Sequence, residues 1–109
     1  MKYSLLIALF ALLISCKKES SNIWVSYTMT QCADPWQNSP DYAKDKEDTL
    51  KKYLEAKNIE VLDLNIKLDS VCAKSVQCKA CTCSSCLVAS VLIRDHDLNA
   101  IEQLKFKRK

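Results

Sequence analysis

This chain of 109 residues contains no glycine, where average usage near 7% would give about seven or eight. Every site built on Gly-rich backbone is thereby excluded: the phosphate-cradling P-loop, the dinucleotide fingerprint and the Gly-flanked nucleophile elbow. Histidine occurs once, as His96, so Ser-His-Asp and Cys-His catalysis have a single candidate. Its setting, Asp95-His96-Asp97, reads as a helix start, where short polar residues belong and the ring faces solvent. The 2 prolines, Pro35 and Pro40, both precede the cysteine-rich region, so none stands downstream of a C-x-x-C pair as a thioredoxin-like site would want. Charge of one sign is lacking too: 16 basic against 13 acidic side chains give a formal +3, too near neutral for a nucleic-acid binder. The longest apolar run, Leu5 to Ile14, falls well short of the roughly 20 residues that span a bilayer.

What that run does resemble is the apolar region of an export signal. It follows Met1-Lys2 and ends at Leu13-Ile14-Ser15-Cys16, which resembles the lipobox of bacterial lipoproteins, where the chain is cut before the Cys and the thiol is acylated. The expected organisation is a signal peptide over 1–15, a lipidated Cys16 (diacylglyceryl and palmitate type) with a polar tether over 16–22, and a single domain over 23–109. Cleavage removes one basic side chain, Lys2, and no acidic one, leaving +2. More than one acyl chain is needed for durable anchoring. By resemblance to lipoprotein sorting in Gram-negative bacteria, the absence of Asp straight after Cys16 implies the outer membrane, with Lys17 and Lys18 at head-group level. The membrane is the expected partner; nucleic acid is not, and the sequence names no protein or small-ligand partner.

Beyond the tether the hydropathy alternates. Ile23, Val25, Tyr27 and Met29 share one face of a strand ending at Thr30, a period of two. Met29 is read as core, because the Met-Thr-Cys-x-x-Cys loop of a copper carrier would need a second cysteine that is absent. Ser39-Pro40 suits a helix start, with Tyr42, Leu50, Tyr53 and Leu54 on one stripe as far as Lys57. Asn58 takes the left-handed stop position usually filled by Gly. Alternation returns from Ile59, with Leu62, Leu64, Ile66 and Leu68 facing one way. A cysteine-rich connector from Val71 to Cys86 precedes a more buried strand over Leu87 to Arg94. A short helix capped by Asp95 or Asp97 carries Leu98 and Ile101, and Lys105 to Lys109 forms a short edge strand or frays. The order βαββα, or βαββαβ with the tail, predicts a small ferredoxin-like α+β sandwich with a cysteine-rich loop between strands two and three. A thioredoxin-like arrangement is the alternative.

Of 7 cysteines, setting Cys16 aside leaves Cys32, Cys72, Cys78, Cys81, Cys83 and Cys86. An even set in an exported domain points to disulfides, with Cys32 joined to the 72–86 segment. An alternative makes Cys78, Cys81, Cys83 and Cys86 thiolate ligands of zinc or copper, although structural zinc sites separate their ligand pairs by a dozen or more residues. A second alternative is thiol–disulfide exchange at Cys78-Lys79-Ala80-Cys81, with Lys79 lowering the Cys78 pKa. Such sites put the first thiol at a helix N-terminus, and no helix pattern follows this one. No cofactor is expected on the disulfide reading. The reading is therefore a non-enzymatic, lipid-anchored envelope protein, a binding or structural module stapled by disulfides.

Gln31-Cys32-x-Asp34-Pro35-Trp36, together with Cys78-x-Ala80-Cys81-x-Cys83 and the lipobox followed by Lys17-Lys18, resembles small lipoproteins of Bacteroidota-type bacteria. In that pattern a Gly follows the Cys-Ala-Cys element, where Ser84, Ser85 and Cys86 stand in this chain. The resemblance implies location and architecture, and brings neither a pairing scheme nor an activity.

Overall fold

The computed structural model describes residues 21–75 and 78–109, so the segment expected to be a signal peptide, Cys16 and most of the expected tether lie outside the described residues. Strand β1 covers Asn22–Thr30, followed by a 3-10 turn at Pro35–Asn38 and helix α1 at Lys46–Ala56. Strand β2 (Asp63–Leu68), a short helix α2 (Ser70–Ser75) and strand β3 (Ser84–Arg94) follow. A 3-10 turn at Asp95–Asp97 leads into helix α3 (Leu98–Gln103), and strand β4 (Lys107–Arg108) closes the chain. The sheet order is β2-β3-β1-β4, and β1 pairs antiparallel with β3 and β4, as does β2 with β3. This is the ferredoxin-like arrangement. A thioredoxin-like sheet, which includes parallel neighbours, is not what the chain builds.

The alternating strand pattern reads directly into the layers. Val25 and Met29 are fully buried, and Ile23 and Tyr27 pack beside them. Opposite on β3, Ala89, Val91 and Ile93 are the register partners of Tyr27, Val25 and Ile23 and face the same core. Leu50 and Leu54 of α1, Ile101 of α3 and Phe106 cover this face. Fully burying one such side chain contributes about 1.5–3 kcal/mol. Tyr27, Trp36, Tyr53 and Phe106 form an aromatic cluster, with ring centroids 5.0 Å apart for Tyr27–Phe106 and 5.3 Å for Tyr27–Trp36 and Trp36–Tyr53. These contacts weld the 3-10 turn, α1 and the C-terminal segment to β1. The other face of β1, bearing Trp24, Ser26 and Thr28, is partly or fully exposed.

Several expected boundaries move. Helix α1 starts at Lys46, not at Pro40, because the Asp45 carboxylate accepts from the Asp48 N–H at 3.0 Å and caps the first turn. Ser39, restrained by the proline after it, sits in extended backbone (φ −68°, ψ 135°) and ends the preceding 3-10 turn instead. The connector contains helix α2, and β3 begins at Ser84, three residues before the expected strand. The outer edge of β2 is blocked by acids: Leu64 N–H donates to its neighbour Asp63 at 2.8 Å and Ile66 N–H donates to Glu47 at 3.2 Å. Satisfied edge donors discourage further strand pairing.

A chain without glycine must take left-handed backbone on other residues, and it does so at Asn58 (φ 63°), Cys86 (φ 63°) and Lys105 (φ 72°). Asn58 is the expected helix stop. Cys86 sits where the β1–β3 register shifts, from Thr28 opposite Val88 to Thr30 opposite Ser84. A bulge is where left-handed geometry concentrates.

Candidate functional site

The β1–β3 ladder delivers the cysteines to one end of the sheet. Past Thr30 the two chains stay bonded, with Gln31 N–H donating to Cys83 O at 2.8 Å and Cys32 N–H to Cys81 O at 3.1 Å. That second bond, one residue out of step with the Thr30–Ser84 register, draws Cys32 and Cys81 together, and they form a disulfide with Cα atoms 4.5 Å apart. The Gln31 side chain adds a bond to Cys78 O at 2.7 Å. Cys78 pairs with Cys83 across a five-residue separation, Cα–Cα 5.9 Å. Cys72 on α2 pairs with Cys86, Cα–Cα 5.5 Å. All three spans lie in the range disulfides adopt.

The bulge explains the third pair. Left-handed backbone at Cys86 is held by its N–H donating to Ser84 Oγ at 3.0 Å, while Ser85 Oγ donates to Met29 O at 3.0 Å. Cys86 O accepts from Asp69 N–H at 2.8 Å. Asp69 also caps α2, accepting from Val71 N–H at 3.0 Å and Cys72 N–H at 3.2 Å. The sulfur of Cys72 thereby meets a Cys86 that is only 2% exposed. Cys32, Cys78 and Cys81 are exposed. The three bonds grade from a buried inner staple to two surface ones.

No family model, no curated protein and no solved structure matches this chain.

The four sulfurs assigned to a zinc or copper reading, Cys78, Cys81, Cys83 and Cys86, are divided among three different disulfides, and a disulfide sulfur is not a thiolate ligand. Among the described residues no group of three His, Cys, Asp or Glu is arranged to hold a metal ion. Cys78 and Cys81, the C-x-x-C pair of the redox reading, are not each other's partners, and turns rather than a helix follow Cys78. Lys79 is exposed beside it. His96 has a side chain 61% exposed, 3.7 Å from Asp97 Oδ2.

The Gln31 to Trp36 motif is a clamp. Asp34 is 2% exposed, and its carboxylate accepts from Tyr27 Oη at 2.6 Å and Thr30 N–H at 2.9 Å. Gln37 closes the loop, accepting from Asp34 N–H at 2.7 Å and donating from Nε2 to Thr30 O at 2.8 Å. Burial first, then the hydrogen bond and the charge of Asp34, push the Tyr27 phenol well above its ordinary 10.0. Tyr27 therefore stays a proton donor to Asp34. Pro35 suits the first position of the turn, and the turn inserts Trp36 into the core at 3% exposure. The indole N–H of Trp36 finds no partner among the described residues. Beside it lies a recess of about 290 Å³ between the 3-10 turn and α1, lined by Pro35, Trp36, Ser39, Thr49, Lys52 and Tyr53, with Asp41 at the same rim.

Sequence reasoning identified Cys32 and the 72–86 segment as partners but not which cysteine met which. It missed Tyr27 and Gln37 as parts of the clamp. Their only sequence signal was spacing: Tyr27 shares the Val25/Met29 face, and Gln37 stands three residues after Asp34, the capping-box interval.

The chain thus builds a small α+β module stabilised by three disulfides, a feature of extracytoplasmic domains. Among the described residues no helix is long and apolar enough to cross a membrane.

Proposed function

We propose that this is a lipid-anchored envelope protein, attached through an acylated Cys16 and acting as a binding or structural module that presents its disulfide-tied loops away from the bilayer. The observation that carries the reading is the clustering of all three disulfides, with the loops they tie, at the Thr30 end of β1, the end opposite Asn22. A nine-residue strand at about 3.3 Å per residue sets those loops roughly 30 Å beyond the tether. Cross-linked loops keep one shape, which lowers the ordering cost of recognising a partner. The Pro35–Tyr53 recess adjoins them, with apolar walls and a polar rim suited to a small or extended ligand. An outer-membrane address is supported by the residues after Cys16.

Metabolic labelling with an alkyne fatty acid tests the anchor. The wild-type chain takes the label and stays with membranes washed in 1 M salt, where electrostatic contacts are screened, whereas Cys16→Ala does neither. A Cys16→Ala chain that still takes the label, or still resists the salt wash, would refute the anchor.

A further inference from the structure

Four cationic side chains at the C-terminus, Lys105, Lys107, Arg108 and Lys109, are all exposed. None of them forms an ion pair among the described residues. A free basic tail would have no fixed place, but this one is pinned. Arg108 pairs with Val25 and Lys107 with Ser26, and Lys109 N–H donates to Trp24 O at 3.0 Å. Phe106, 1% exposed, nails the segment into the core. Because β4 runs antiparallel to β1, the chain ends beside the place where β1 begins. Arg108, Lys109, Trp24, Asn22 and Asn65 line a shallow crevice of about 490 Å³ there. Glu102, beside Lys105 and Lys107, is the one acid lining the adjoining recess.

We infer that this basic edge, Lys105, Lys107, Arg108 and Lys109 with Trp24, is a second membrane contact that binds an anionic phospholipid surface. Six residue steps lead from Cys16 to Asn22, and a chain spans at most about 3.6 Å per residue. The patch is thus tethered within roughly 20 Å of the acyl chains. Cations near an anionic leaflet gain affinity through its surface potential, and a Trp beside them suits the head-group boundary, where an amphipathic ring is at home. Nucleic acid fits less well, since 13 acidic side chains against 16 basic ones hold the whole chain near neutrality. The seating beside the tether rests on acylation at Cys16; the affinity for anionic lipid does not.

The test uses the chain from Lys17 to Lys109, which keeps every described element, the whole core and all three disulfides and lacks both signal and lipid. Co-sedimentation with phosphatidylglycerol–phosphatidylethanolamine vesicles is compared with phosphatidylcholine vesicles at low and high salt. The expected result is binding to the anionic vesicles alone, lost at 1 M salt, where screening is nearly complete. Each neutralised cation lowers affinity roughly fivefold, so Lys107→Gln with Arg108→Gln lowers it roughly 25-fold, while Lys51→Gln with Lys52→Gln on α1 leaves it unchanged. If the β4 variant does not fold, Lys105→Gln with Lys109→Gln serves in its place. Equal binding to neutral vesicles, an equal loss in the α1 variant, or tighter binding to duplex DNA than to the vesicles overturns the proposal. Acylation of Cys16 is read separately by fatty-acid labelling, so failure of one leaves the other standing.

Discussion

The three disulfides should differ in worth according to the loops they close. In the chain-entropy account, a cross-link stabilises by restricting the unfolded ensemble, as the logarithm of loop length. Cys32–Cys81 closes a separation of 49 residues, Cys72–Cys86 of 14 and Cys78–Cys83 of 5, which gives about 4, 3 and 2 kcal/mol respectively. Against the 5 to 15 kcal/mol of a typical domain, the first is a large share. Backbone bonds from Gln31 to Cys83 and Cys32 to Cys81 hold the same loops in the native state, so removing the sulfurs leaves the folded geometry in place and isolates the entropic effect. The perturbation is paired replacement: Cys32→Ala/Cys81→Ala, Cys72→Ala/Cys86→Ala and Cys78→Ala/Cys83→Ala. Thermal and guanidinium unfolding, followed by fluorescence of the buried Trp36, read Tm and stability for each variant. The first pair should lower Tm by roughly 15–30 °C, at about 4–8 °C per kcal/mol for a domain of this size, and the last by about half as much. If the Cys78/Cys83 variant loses as much as the Cys32/Cys81 variant, or the latter loses under about 1 kcal/mol, the loop-closure reasoning fails.

Other consequences are also measurable. Lys105 holds φ 72° at a cost of about 1–2 kcal/mol for a residue with a Cβ; Lys105→Gly should stabilise the domain by about 0.5–1 kcal/mol after the extra freedom of glycine in the unfolded chain. Asn58→Gly should gain less, because Asn tolerates that geometry, and equal changes in Tm at the two sites would contradict the account. Tyr27→Phe removes a 2.6 Å bond to a buried carboxylate and should cost about 1.5–3 kcal/mol. Because folding raises the Tyr27 pKa above 10.0, the stability it supplies is fully present below pH 10 and falls as pH rises beyond that value. The wild-type chain should thus lose stability above pH 10 more steeply than Tyr27→Phe, as alkaline denaturant titrations would show; parallel curves would count against the clamp.

Much of the fold was legible because its signals were local and concordant. The Ile23 to Met29 alternation is what a half-buried strand requires, and Asn58 was readable as a helix stop because few other residues tolerate left-handed backbone. The first turn of α1 was misplaced because two valid caps compete, and Asp45 bonds the helix while Ser39, before a proline, is held extended. Helix α2 left no hydropathic trace, since it buries no residue and is held by Asp69 and a disulfide instead. Lys105 carried no signal at all: nothing in a lysine announces φ 72°. The disulfide pairing was illegible for a different reason. It depends on the β1–β3 register, on the bulge at Cys86 and on the turn that lets Cys32 N–H reach Cys81 O just beyond the paired strands, which are long-range properties.

The central claim joins an N-terminal anchor to three disulfides at the far end of the sheet, and one intact-mass measurement reaches both. The protein is extracted from membranes without reductant, alkylated with iodoacetamide and weighed. The account predicts a chain starting at Cys16 that carries lipid and no alkyl adduct, with Cys32 and Cys81 recovered in one linked peptide after proteolysis. An unacylated chain, or adducts on Cys32, Cys72, Cys78, Cys81, Cys83 or Cys86, would contradict it.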